Sequence, residues 1–207
     1  MNRQSLIISI PESVRGLIFD CDGTLVNSMQ QHMRAWELAF IDLQETYRED
    51  FFLSARGMEE KEIIDVYNRT FGTRLDPGVV VQTKHHHLRK MINTITPIQP
   101  VVDVVLKNRG KLPMSVVSGG TRANVEAELE VVHIKKYFKA ILTADDPIPH
   151  KPAPDLFIEA ARLMGVPPHQ CLVFEDGDLG LEGAQKAGMQ TIDIRELPRE
   201  PREPAEG

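Results

Sequence analysis

A short apolar run that breaks off at a polar turn recurs along this chain, and that recurrence narrows the possible folds more than any other feature. The first run, residues 16–19, stops at Asp20-Cys21-Asp22-Gly23-Thr24. Residues 114–117 stop at Ser118-Gly119-Gly120, residues 140–142 before Thr143-Ala144-Asp145-Asp146, and residues 172–174 at Glu175-Asp176-Gly177. Runs this short, bounded by turn residues, read as buried strands opening into polar loops. A fifth run at 191–194 completes the set. Helical patterns fill the intervals, at residues 101–108, 121–131, 155–164 and 179–187, with Pro154 suited to a helix start and Gly188 to a helix end. Strands alternating with helices predict an α/β fold on a doubly wound, Rossmann-like parallel sheet.

One stretch breaks the alternation. Residues 27–95 hold helical patterns and no convincing strand, which predicts an inserted α-helical cap domain within a core made of residues 1–26 and 96–195. Met29, Met33, Trp36, Phe40 and Leu43 recur at helical spacing, so their first duty is packing one apolar face. Residues 25–28 and 96–100, the latter with two prolines, are the expected outgoing and returning hinges. Residues 196–207 alternate prolines with charges and are expected to be a flexible tail.

Composition excludes several classes. A chain of 207 residues with 42% apolar content can bury a full core. A formal charge of -6, with no long basic run, argues against a nucleic-acid groove. Cys21 and Cys171 are too few for a disulfide framework and read as reduced core thiols. The beginning of the sequence lacks the apolar core and cleavage site of a signal peptide, and no apolar run reaches membrane-spanning length. The expectation is a cytoplasmic protein with neither nucleic acid nor membrane as a partner, acting as a monomer or weak homodimer.

In an open parallel sheet, ligands bind outside the carboxyl ends of the strands. Four such ends bring Asp20 and Asp22, then Ser118, then Lys151, then Glu175 and Asp176 to one place. Carboxylates crowded in a dry pocket hold protons unless positive charge offsets them. Mg2+ suits that set of hard oxygen donors better than zinc, and Lys151 adds a further charge. A phosphate dianion is then the natural guest, with backbone amides reaching its oxygens at Gly23 and at Gly119-Gly120.

These residues resemble the haloacid dehalogenase superfamily of phosphotransferases, in the branch of sugar phosphatases and β-phosphoglucomutases with a small helical cap. Its motifs are matched in order by Asp20 to Thr24, by Ser118, by Lys151 in His150-Lys151-Pro152-Ala153-Pro154-Asp155, and by Glu175-Asp176 with Gly180 and Ala184 to Met189. The resemblance implies an Mg2+-dependent phosphatase in which Asp20 attacks phosphorus and Asp22 acts as general acid and base. Asp22 is then expected to hold a proton near neutral pH, its pKa raised by the neighbouring acids. It also implies metal ligation by Asp20, Glu175, Asp176 and the backbone carbonyl of Asp22, and gripping of the phosphoryl group by Ser118 and Lys151. Thr24, Gly119, Gly120, His32, Trp36 and Lys84 are the implied substrate contacts.

A cap favours a small phosphorylated metabolite as the substrate, with fructose 1-phosphate the leading example and phosphoglycolate or a nucleotide the alternative. His32 and Trp36 match the family's cap hinge in spacing, although a helical histidine by itself reads as solvated. Lys84 precedes Leu88, Met91 and Ile92 as a site-reaching cap lysine does, and reads equally as a surface lysine. Asn27 stands where the family usually has aspartate. His85, His86 and His87 are adjacent on a helical pattern, point in different directions and read as surface residues. A β-phosphoglucomutase-type activity is the main alternative. Mutase relatives place an arginine where Glu60 falls, and a carboxylate there repels a second phosphate, unless Lys61 or Arg56 takes that role. A response-regulator receiver lacks the helical insertion and the Asp22 acid, and an inactive binding protein would not need the full reactive set.

Overall fold

Leu17 and Phe19 pack into one apolar cluster while Ile18 between them packs into another, so the first strand is buried on both faces. The computed structural model describes residues 8–55 and 58–197. Arg56, the tail beyond residue 197 and most of the stretch read for a signal peptide lie outside the described residues. The elements run β1 (Gly16–Phe19), β2 (Val26–Asn27), α1 (Met29–Asp42), α2 (Glu49–Ser54), α3 (Glu60–Phe71), α4 (Pro77–Met91), β3 (Thr96–Pro97), α5 (Gln99–Asn108) and β4 (Met114–Val117). They continue with α6 (Arg122–Val131), β5 (Ala140–Leu142), α7 (Asp155–Met164), β6 (Cys171–Glu175), α8 (Asp178–Lys186) and β7 (Gln190–Asp193).

The main sheet is parallel, in the order β5-β4-β1-β6-β7. Valines of α5 with Val125 and Leu129 of α6 cover one face, and Leu156, Phe157 and Ala160 of α7 with Ala184 of α8 cover the other. This is the doubly wound arrangement predicted, and the strand boundaries shift by only a residue or so. Because β4 and β6 flank β1 on opposite sides, the winding reverses at β1, and its carboxyl end opens the crevice where such sheets bind ligands.

Helices α1–α4 lie between β2 and β3 and share their own core of Trp36, Phe40, Phe52, Ile63, Ile64 and Tyr67. Trp36 stacks on Phe52 at 5.0 Å between ring centroids, and Phe40 meets Tyr67 edge-on at 5.0 Å. Each such buried side chain contributes about 2 kcal/mol. Local chemistry sets the helix ends: Asp76 accepts from the Val79 N–H at 2.9 Å ahead of Pro77, and Gly72 closes α3 at φ +70°. The two expected hinges are not loose loops. They pair as a two-residue antiparallel ribbon, Val26 against Pro97 and Asn27 against Thr96, too short to leave a period in the sequence. The expected tail also begins late, since Ile194–Glu196 form a 3-10 turn. Among the described residues no helix is long and apolar enough to cross a membrane.

Candidate active site

At the carboxyl ends of β1 and β6, carboxylate oxygens of Asp20, Glu175 and Asp176 all lie within 4.8 Å of one another. Two glycines make that crowding possible. A Cβ on Gly23, whose φ is +84°, would overlap the Asp176 carboxylate, and a Cβ on Gly180 would overlap Glu175. Lys151, carried in on the segment before α7, donates to Asp20 Oδ1 at 2.8 Å and to Glu175 Oε2 at 2.7 Å. Glu175 Oε1 accepts the backbone N–H groups of Asp176 and Gly177, at 3.2 and 2.9 Å.

One ammonium cannot balance three carboxylates. Burial, then Glu175, push the Asp20 carboxyl well above its usual range, and Lys151 only partly offsets them. Burial, again with Glu175, lifts Asp176 to about 6. Oxygen donors with uncompensated negative charge, and no thiolate or imidazole among them, fit a hard divalent cation such as Mg2+. Ser118 ends β4 beside this group, with its Oγ accepting the Gly120 N–H at 3.0 Å. All of these face a cleft of about 410 Å³, which Gly119, Gly120 and Trp36 also line.

Asp22 behaves differently from the other acids. Ser28 Oγ donates to its Oδ1 at 2.5 Å, and His32 Nε2 lies 3.0 Å from the same oxygen. Its Oδ2 faces the Ser118-Gly119-Gly120 loop, where a Cβ on Gly120 would come within 3.6 Å. Burial opposes ionisation, but His32, then Ser28 and Lys84, hold the carboxyl well below the usual range. The expected raised pKa is therefore corrected: the sequence showed the neighbouring acids, while the donors that outweigh them come from the start of α1 and from α4.

His32 is not the solvated histidine its helical position suggested. Its side chain is 13% exposed, and Nε2 lies between Asp22 Oδ1 and Glu128 Oε1, the latter at 3.1 Å. Lys84 Nζ stands 2.8 Å from Nδ1, a contact that needs a bare ring nitrogen there and places the N–H on Nε2. Burial and the Lys84 ammonium oppose a second proton on the ring. Asp22 and Glu128 favour it and push the pKa up to about 9, although taking it up would cost the Lys84 contact.

Lys84 is no surface lysine either. It is fully buried, ion-paired to Glu60 and 5.4 Å from the Trp36 ring, and it sits behind the cleft instead of lining it. His85 joins Glu60 at 2.5 Å and His87 joins Asp42 at 2.7 Å, so both are part-buried partners and not free surface residues. Glu60 thus lines the cleft with both oxygens engaged, which cancels much of the repulsion expected of a bare carboxylate. Lys61 is exposed and does not line it. Thr24 was expected at the substrate; it is buried instead, donating to Asp176 Oδ1 at 3.3 Å. Sequence reading missed Ser28 and Glu128, since a serine before a helix reads as a cap and a glutamate within one as solvated.

A profile of the haloacid dehalogenase-like hydrolase family matches residues 17–194. The fructose-1-phosphate phosphatase YqaB of Escherichia coli is 38% identical over 189 residues, which is 90% of this chain and 99% of that one. The pyrophosphatase PpaX of Oceanobacillus iheyensis is 28% identical, over 88% of this chain and 84% of its own. Among solved structures, CbbY from Rhodobacter sphaeroides in complex with phosphate shares the fold at a TM-score of 0.77, with 24% identity over 86% of this chain and 84% of that one. The chain belongs to the haloacid dehalogenase-like hydrolase family and is a phosphatase acting on small phosphorylated compounds.

Proposed function

We propose that this member of the haloacid dehalogenase-like hydrolases cleaves sugar-sized phosphate monoesters, fructose 1-phosphate foremost, through a phosphoaspartate on Asp20. The observation that carries the reading is Lys151 bridging Asp20 and Glu175 at the end of β1, with Asp176 and Ser118 alongside. The Lys151 ammonium orients Asp20 and offsets charge on the phosphoryl oxygens. An Asp20 oxygen bonds to phosphorus as the bond to the leaving oxygen breaks. Asp22 gives its proton to that oxygen, then accepts one from the water that attacks the phosphoaspartate, releasing inorganic phosphate and restoring Asp20. Because Asp22 rests as the anion, a phosphate dianion arriving beside it is what favours protonation of the Asp22–His32 pair.

Mg2+ would be held by Asp20, Asp176 and the Asp22 carbonyl, with Glu175 reaching it directly or through water. When bound it supplies charge stabilisation to the transferring phosphoryl group. Helices α1–α4 serve as the cap over the cleft, hinged at the β2–β3 ribbon. Their share of the lining is mostly apolar, from Met29, Met33, Trp36, Phe52 and Ile63, and its acid, Glu60, is already paired with Lys84. A monophosphate suits that wall, because the lysine behind it is buried and engaged.

Turnover of p-nitrophenyl phosphate with Mg2+, abolished by EDTA, is the expected result. Among fructose 1-phosphate, phosphoglycolate and a nucleoside monophosphate, the sugar phosphate should have the highest kcat/KM. Conversion of β-glucose 1-phosphate into glucose 6-phosphate in the presence of glucose 1,6-bisphosphate would instead establish a mutase. Absence of metal-dependent turnover across the panel overturns the reading.

A further inference from the structure

Glu128 is a fully buried acid on α6 that does not line the cleft. Its surroundings on the helix are the core residues Val125 and Leu129. Such a carboxylate is costly in an apolar setting, and a well-packed hydrophobic residue usually serves stability as well or better. Its two oxygens have separate partners. Oε1 takes His32 Nε2 at 3.1 Å, and Oε2 takes the Cys21 thiol at 3.6 Å. Cys21 precedes Asp22 in the first loop, and His32 lies on the first inserted helix, so one side chain ties the loop, the core helix and the insertion together.

We propose that Glu128 is a positioning residue for proton transfer: braced by the Cys21 thiol, it fixes the His32 ring so that Asp22 Oδ1 is engaged and Oδ2 is left facing the loop at Gly120. Without Glu128, Nε2 has Asp22 alone to point at, and the pair is held only at its ends, the ring by Lys84 at Nδ1 and the carboxylate by Ser28 at Oδ1. The inference rests on the reading of Asp22 as the acid. Loss of Glu128 should therefore be felt where the leaving oxygen needs a proton, and hardly at all in formation of the phosphoaspartate from an ester with a good leaving group.

Glu128→Leu, of similar volume, separates this role from a structural one. The variant should melt at the wild-type temperature or above, yet lose roughly 10- to 100-fold in kcat on fructose 1-phosphate or another alkyl phosphate. Its loss in the single-turnover release of nitrophenolate should stay under about threefold, because that step needs little acid assistance and precedes the water step that Asp22 also serves. Glu128→Gln, whose amide oxygen can still accept from Nε2, should recover most of the alkyl phosphate rate. An equal loss in nitrophenolate release, or no loss on either substrate, overturns the proposal. If the leucine variant does not fold, Glu128→Asp, which withdraws the carboxylate by one methylene, should show the same selectivity at smaller size, and its absence is equally fatal. Failure of the underlying reading looks different: Asp22→Asn would then turn over alkyl phosphates at the wild-type rate.

Discussion

Two neighbouring groups of charged side chains meet at the end of β1, and they are built differently. In the first, Asp20, Glu175 and Asp176 share a single ammonium, Lys151, and the acids are pushed toward protonation. In the second, Glu60 has Lys84 and His85 while Asp22 and Glu128 share His32; Asp22 is held down as the anion, and burial with Asp22 lifts Glu128 to about 7. The first group is short of positive charge and is completed by what it binds. The second spreads its acids among three basic side chains on two inserted helices, which suits it to holding a shape between the sheet and the insertion.

The sharpest way to break the contrast is Asp20→Asn. Turnover of p-nitrophenyl phosphate should fall by about 10⁴-fold or more, while the melting temperature holds or rises because one crowded carboxylate has been removed. A variant that stays fully active excludes Asp20 as the nucleophile. Lys84→Met attacks the other group, where the cation is built in. Leaving Glu60 with His85 as its one basic partner should cost up to about 4 kcal/mol in denaturant unfolding, and a variant as stable as wild type would mean that Lys84 does not support the second group.

The smallest effect sharpens the comparison through pH. Burial opposes ionisation of Glu60, but Lys84 and His85 win and lower its pKa to about 2 from an ordinary 4.5. A depressed carboxylate stabilises the fold fully above its unfolded pKa, and that stability is lost as pH falls from 4.5 through about 2. Glu60→Gln should remove up to about 3 kcal/mol of the acid-range pH dependence. Equal slopes for the two proteins in unfolding between those pH values would contradict the pairing.

The acids of the first group were legible because they stand at strand ends. Asp20, Ser118 and Glu175-Asp176 follow apolar runs, and a parallel sheet aligns strand ends whatever lies between them. Most of the second group was not. His32, Lys84, Glu60 and Glu128 sit inside helices, where sequence position fixes a face but not what that face meets. Lys84 read equally as a surface residue and is fully buried; Thr24 read as a substrate contact and holds Asp176. The protonation of Asp22 was misjudged for the same reason, since the donors that decide it come from elements whose packing the pattern leaves open.

By itself, then, the sequence determined the doubly wound sheet, the helical insertion and the convergence of Asp20, Ser118, Lys151, Glu175 and Asp176, because hydrophobic periodicity and turn chemistry are local. Only the tertiary structure decided that the two hinges pair as a ribbon, that Glu60 is matched by Lys84, and that His32 stands between Asp22 and Glu128. Those outcomes depend on the docking of α1, α4 and α6, and charge pairing across helices is set by distances between elements that no single stretch of chain contains.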